Sequence, residues 1–287
     1  MTKEWRGLPR ADEIGSRNDK KRRLTSHISR FSRGWGKGGI AMRYEMMFAG
    51  QLREAIKKNT PVVLPAGVLE YHSEHAVFGV DTLLIVRALE ILEKEMDIVI
   101  CPPFYYGAAS YAVEPPENNG TIHVTSHSVY LLAKDIFRGM LRVGLRNMHV
   151  FIHHQSENFA AGMPTDLAFR FAAREAIFEY IEKERGEGWW GNESMKDYYS
   201  MHEKGSDPFN WIKVHPFMDG DTQKKFPIDH ASQQETSLMM AFCPEGVDMK
   251  RFSEKKWYSA GAKKASMEYG NAAKEMILKK MKKLLEG

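Results

Sequence analysis

The chain has 287 residues, 43% of them hydrophobic and 27% charged, with a formal net charge of +4. That is enough apolar material for one large domain or two small ones, and so mild a charge singles out no partner. Two cysteines, Cys101 and Cys243, exclude a disulfide scaffold, and no apolar run approaches the roughly 20 residues that span a bilayer.

Residues 1–42 read as a basic amino-terminal extension. Lys20, Lys21, Arg22 and Arg23 form a charge run, and Gly34, Gly36, Gly38 and Gly39 loosen the stretch beyond it. Trp5, Phe31 and Trp35 favour packing on a neighbouring subunit or on the chain's own domain. A nucleic-acid arm is disfavoured, because no groove-reading motif accompanies the run. There is no secretory leader pattern, so a soluble, reduced, cytoplasmic protein is expected.

The remainder, 43–287, alternates short apolar strands with amphipathic helices. Arg43 to Lys58 has helical spacing through Tyr44, Met47, Phe48, Leu52 and Ile56. Val62, Val63 and Leu64 form a buried strand that Pro65 and Gly67 stop. Thr82 to Glu95 is a helix, and Ile98 to Ile100 a second strand. A loop rich in Tyr, Pro and Gly then runs to Gly120. A helix capped by Ser126 runs through Val129, Leu132, Ile136 and Leu141. His149 to Ile152 is a third strand, and Met163 to Lys183 a long helix. Residues 186–221, with Trp189, Trp190, Tyr198, Tyr199 and Trp211, show few periodic signals and read as an irregular insert, a possible lid. An apolar run from Leu238 to Phe242 and a basic helix from Ala262 to Leu285 close the chain. Such alternation predicts an α/β fold: three-layer α/β/α with a mainly parallel sheet.

Polar clusters come after three of the apolar runs. Pro61 to Arg87 supplies Glu70, His72 and Asp81 directly after a strand, where open α/β sheets place their ligand sites. The second cluster is His153-His154-Gln155-Ser156-Glu157-Asn158, with His154, Gln155 and Glu157 as candidates. The third supplies His230 and Glu235. Loops at the carboxyl ends of parallel strands converge on one rim, so the clusters can meet. Carboxylates and imidazoles suit Zn²⁺ or Mn²⁺, and two such ions sharing a carboxylate can polarise a carbonyl and activate water. A nearby His or Glu would move the proton. Each cluster can also be read as a solvated polar loop. His75 is better suited to hydrogen-bond a ligand than to be one, and His153 and His154 can cap strand-end carbonyls. No serine lies in a G-x-S-x-G context, and the glycines form neither a P-loop nor a dinucleotide fingerprint.

Taken together, these motifs resemble the creatininase (creatinine amidohydrolase) family. Leu64-Pro65-Ala66-Gly67-Val68-Leu69-Glu70-Tyr71-His72-Ser73-Glu74-His75 is similar to its L-P-x-G-x-x-E-x-H-x-x-H pattern, with Asp81 at the expected spacing. His230-Ala231-Ser232-Gln233-Gln234-Glu235-Thr236-Ser237 resembles its H-A-G-x-x-E-T-S. Pro102-Pro103, Tyr106-Gly107 and Gly120-Thr121-Ile122 resemble its middle region. The resemblance implies a creatininase-like metal hydrolase with two divalent ions, Zn or Mn, often as a homo-oligomer, a hexamer. It implies that Glu70, Asp81 and a later His hold one ion, and His72, Asp81 and Glu157 the other. His230 and Glu235 fall where the family places proton-transfer and substrate-contact residues. Where the family reads N-G-H-x-x-N, Gln155 stands at the metal-binding His. Either Gln155 offers its amide oxygen, or a local shift lets His154 serve. Ser232 replaces a glycine. The substrate implied is a small polar ring opened at a carbonyl, with these changes arguing against creatinine itself. The leaving atom would be nitrogen in a cyclic amide, or carbon in an inositol-derived cyclic diketone. A metal-poor binding or regulatory protein on the same fold is the reading of another class.

Overall fold

A computed structural model describes residues 42–154 and 158–287. The basic extension expected over 1–42 lies outside the described residues but for Met42, as do Gln155, Ser156 and Glu157. Among the described residues five strands form one parallel sheet: β1 (Met42–Arg43), β2 (Val62–Ala66), β3 (Val99–Ile100), β4 (Met148–Ile152) and β5 (Ile212–Pro216). Their order is β1-β3-β2-β4-β5. Val62 lies opposite Met148 and Ala66 opposite Ile152, so β2 and β4 end level with each other.

The strand alternation assigns the two faces. Val62, Leu64 and Ala66 join Met148, Val150 and Ile152 on one face. They pack under α3 (Ser126–Val143) through Ala133, Phe137 and Leu141, and under α4 (Pro164–Arg185) through Phe169, Ala173 and Ile177. Val63, Ile100 and Phe151 face the opposite layer. That layer is α2 (Val80–Leu92), α7 (Gln233–Phe242) and α8 (Met267–Glu286), which contribute Leu84, Leu89, Leu238, Met239 and Ile277. The result is the expected three-layer α/β/α fold. Two shorter helices, α5 (Tyr198–Glu203) and α6 (Gly220–Lys225), flank β5 in sequence, and α1 (Ala49–Lys57) precedes β2. No helix among the described residues is long and apolar enough to cross a membrane.

Several expected boundaries shift for local reasons. The helix expected over 43–58 is broken. Arg43 pairs with Ile100 as strand and reaches Glu93 at 3.0 Å, and the helix begins only after Phe48, whose N–H the Gln51 side chain accepts at 2.8 Å. Pro65 does not stop β2. The side of β2 on which its missing N–H would bond is the β3 side, where Val63 and Gly67 also bond, and β3 has already ended at Ile100. No ladder bond is lost there. Thr125, not Ser126, caps α3 by accepting the Ser128 N–H at 3.3 Å. The segment expected as an irregular insert belongs to the body. It carries the edge strand β5 and buries Trp189, Met195, Asp207 and Pro208. Trp189 is buried and Tyr198 and Trp211 pack partly against the core, whereas Trp190 and Tyr199 stay exposed, so no single helical or strand period runs through the segment.

Candidate metal centre

The sheet's carboxyl edge gathers the three clusters. Gly67 comes directly after β2, and its backbone lies against the first turn of α2. A Cβ there would come within 2.5 Å of Thr82 Oγ1 and 2.9 Å of the Asp81 carbonyl carbon. Only glycine permits this approach, which carries Asp81 to the rim. The loop between supplies Glu70 and His72. Residues 153 and 154 directly succeed β4, and Asp229 to Glu235 lead into α7.

Glu70, His72, Asp81, His153 and Glu235 are each 5% exposed or less. His154 Nδ1 lies 3.2 Å from Glu70 Oε2 and 3.8 Å from Asp81 Oδ2. His72 Nε2 lies 3.5 Å from Glu235 Oε2 and 3.9 Å from Asp81 Oδ1. Two donor groups therefore share one carboxylate: Glu70, Asp81 and His154, and His72, Asp81 and Glu235. A third group joins Glu70, His72 and His230. In each group the donor atoms lie within 4.8 Å of one another.

Neighbouring groups fix the orientation of each donor. His72 Nδ1 meets the Glu70 carbonyl at 2.9 Å, and His230 Nε2 meets the Tyr71 carbonyl at 2.9 Å. Carbonyls only accept, so each of these nitrogens carries the proton, and His72 Nε2 and His230 Nδ1 are the free nitrogens of the neutral rings. His153 Nε2 donates to Glu235 Oε1 at 3.0 Å, and the Ala231 N–H to Glu235 Oε2 at 2.7 Å. Ala231 adopts φ 49°, a left-handed conformation held within this tight turn. Asp229 accepts the N–H groups of Gln234 at 2.7 Å and Glu235 at 3.1 Å, anchoring the first turn of α7.

The charge balance is that of a cation site. Burial alone would raise the Glu70 and Glu235 carboxyls. His154 and His72 hold Glu70 below its usual range, and His72 and His153 hold Glu235 well below. Burial prevails at Asp81, whose carboxyl is pushed up. Burial disfavours the His72 cation, yet Glu235 and Asp81 push its pKa up to about 10. His154 is raised in the same way by Glu70 and Asp81. Protons thus neutralise the acids when nothing else does. Buried His72 Nε2 and Asp81 Oδ2, which both face the shared site, have no hydrogen-bond partner among the described residues. Buried polar atoms are rarely left so, and this oxygen and nitrogen set fits a divalent cation.

A pocket of about 500 Å³ opens onto these residues, lined also by Ser110, Val113, Asp229, Trp257 and Tyr258. The structure thus brings together Glu70, His72, Asp81, His154, His230 and Glu235. His75 is not among the donor groups. Its Nε2 bonds Thr236 Oγ1 at 3.0 Å and its ring packs edge-on to Phe252. Gln155 and Glu157 lie outside the described residues. Sequence reasoning missed the His153 contact with Glu235 and did not single out Asp229. The one available signal was adjacency, Asp229 to His230 and His153 to His154.

A family model described as Creatininase: Creatinine amidohydrolase matches residues 45–281. A creatinine amidohydrolase of Pseudomonas putida is 26% identical over 194 residues, 66% of this chain and 67% of that protein. A 3-dehydro-scyllo-inosose hydrolase of Thermotoga maritima is 22% identical over 203 residues, 70% of this chain but 56% of that protein's length. Among solved structures, a manganese form of creatininase superposes with a TM-score of 0.60 at 18% identity, covering 84% of this chain and 95% of the other. A mutant creatininase of the Zn-Zn type gives 0.59 at 18% identity with the same coverage.

Proposed function

The chain belongs to the creatininase family of metal-dependent hydrolases, and from that premise we propose that it opens a small polar ring at a carbonyl by cleaving a cyclic amide C–N bond. The observation that carries this reading is Asp81, one buried carboxylate common to two donor groups beside a pocket of small-molecule size. Glu70, Asp81 and His154 would hold one divalent ion, Zn or Mn, and His72, Asp81 and Glu235 a second, up to two per chain. Bound there, such ions polarise a carbonyl and lower the pKa of water.

The chain's own residues do the rest. The Glu70 and Tyr71 carbonyls set the tautomers of His72 and His230. His230, whose Nε2 proton is held by the Tyr71 carbonyl, would accept at its free Nδ1 the proton that the attacking water gives up and hand it to the leaving nitrogen. Glu235 was expected beside His230 in proton transfer. It takes a ligand role instead, because Oε1 is held by His153 and Oε2 faces His72 Nε2. His154 takes the ligand position that the family motif assigns one residue later. His75 supports α7 through Thr236.

A second reading, ring C–C cleavage of an inositol-derived cyclic diketone, is supported by the likeness to the inosose hydrolase, which spans a similar share of this chain. The test offers protein loaded with Mn²⁺ or Zn²⁺ a panel of small cyclic amides, creatinine among them, together with 3-dehydro-scyllo-inosose, and tracks ring opening by mass. Opening of one ring, lost on chelation and restored by metal, is the expected result. Full metal loading with no ring opened would overturn the hydrolase reading in favour of a binding protein.

A further inference from the structure

The pocket's mouth is built from two loops distant in sequence. Ser110 and Val113 come from the loop after β3, and Trp257 and Tyr258 from the segment ahead of α8. One side chain joins them. Glu114 Oε1 accepts the Tyr258 hydroxyl at 2.9 Å and pairs with Lys256 Nζ at 2.5 Å. The Glu114 side chain is 14% exposed and that of Lys256 47%. The bonds from Lys256 and Tyr258 hold the Glu114 carboxyl below its usual range, so it is ionised at neutral pH.

Behind this junction Tyr258 meets the reacting groups. Its ring centroid lies 5.8 Å from that of His230, which lies 4.6 Å from His72 on another side. The next residue, Ser259, donates its hydroxyl to Ser73 Oγ at 3.3 Å, within the loop that carries Glu70 and His72. The Tyr258 ring is therefore tethered from its own backbone and from its hydroxyl. The backbone tether reaches the metal loop, while the hydroxyl tether crosses the mouth.

We propose that Glu114 is a positioning residue for substrate: it clamps the two mouth loops together and holds the Tyr258 ring as a fixed wall beside His230. The inference rests on the hydrolase reading for its substrate, a small ring lying against that wall, while the clamp itself is a property of the folded chain. His230 keeps its bond to Tyr71 without the clamp, so the loss falls on ground-state and transition-state binding alike. That pattern raises KM and spares kcat.

The test compares wild type, Glu114→Ala, Glu114→Gln and Tyr258→Phe, all metal-loaded. Amide hydrogen exchange is read over 110–114 and 253–259. Glu114→Ala is expected to speed exchange in both segments by about tenfold, with Glu114→Gln between it and wild type, because an amide oxygen still accepts from Tyr258. On whichever of the cyclic amides and 3-dehydro-scyllo-inosose is opened, KM is expected to rise about tenfold in Glu114→Ala with kcat within about twofold. Raising salt should raise KM in wild type and leave Glu114→Ala unmoved, since the ion pair is half open to solvent. Unchanged exchange in Glu114→Ala, or a fall in kcat at constant KM, would overturn the proposal. If wild type opens no ring, the hydrolase reading fails by itself, and exchange then decides the clamp: faster supports it, unchanged rejects it.

Discussion

His72 and His230 lie with ring centroids 4.6 Å apart and planes tilted by 31°, and consecutive backbone carbonyls hold them, Glu70 for His72 and Tyr71 for His230. Each ring is thereby fixed in tautomer, with Nε2 free on His72 and Nδ1 free on His230. Two similar side chains receive different tasks from one stretch of backbone.

This separation predicts different losses. His72→Ala should lower bound metal by about one ion per chain in elemental analysis. His230→Ala should keep the metal and lower kcat by about a hundredfold to ten-thousandfold, the range for loss of a proton-transfer group. Equal metal content in the two variants would remove the distinction.

The second cluster makes a related prediction. His154 Nδ1 faces Glu70 and Asp81, so His154→Ala should lose about one ion per chain. Gln155→Ala should bind metal as wild type does. The reverse outcome would return the ligand role to residue 155.

His153 acts through Glu235, to which its Nε2 donates at 3.0 Å. Partners of this kind typically cost about tenfold to a hundredfold in metal affinity or activity when removed. His153→Ala is expected in that range by titration of metal into the metal-free protein.

Gly67 sets the distance between β2 and Asp81. Gly67→Ala would drive a methyl to 2.5 Å from Thr82 Oγ1 and 2.8 Å from the Thr82 nitrogen. Overpacking of this kind costs about 1–3 kcal/mol, and here it also moves Asp81. Urea unfolding and a metal titration should both register the change.

Away from the site, buried His149 pairs with half-buried His215. His149 Nε2 donates to Asn147 Oδ1 at 2.9 Å, so its Nδ1 accepts from His215 Nε2 at 3.0 Å. Burial, with His215 and Lys213 nearby, lowers the His149 pKa to about 3, and burial and Lys213 lower that of His215 to about 4. Both folded values lie below the ordinary 6.5. The unfolded chain then binds more protons between those limits, so stability is full above about pH 6.5 and falls as the medium is acidified. Each such proton adds about 1.4 kcal/mol of loss per pH unit. His149→Gln should flatten the fall by about one proton's worth in urea midpoints measured from about pH 7 down to about pH 5.

Local sequence determined a good deal of this protein. Short β-branched runs separated by amphipathic stretches specify strands and helices because their periods differ, and a parallel sheet results from the alternation. Glu70, His72 and Asp81 were legible because they crowd the end of an apolar strand. The edge strand β5 was not: Ile212 to Pro216 mixes Lys213 and His215 with apolar residues, and its place depends on pairing with β4. The tasks of His153, Glu235 and Glu114 depend on partners remote in sequence. His153 meets Glu235 from 82 positions away, Glu235 faces His72 from a different loop, and Glu114 meets Tyr258 from 144 positions away. Composition and spacing name the donors; only the folded backbone, by aligning the ends of β2 and β4 and turning α7 toward them, decides which donors share Asp81.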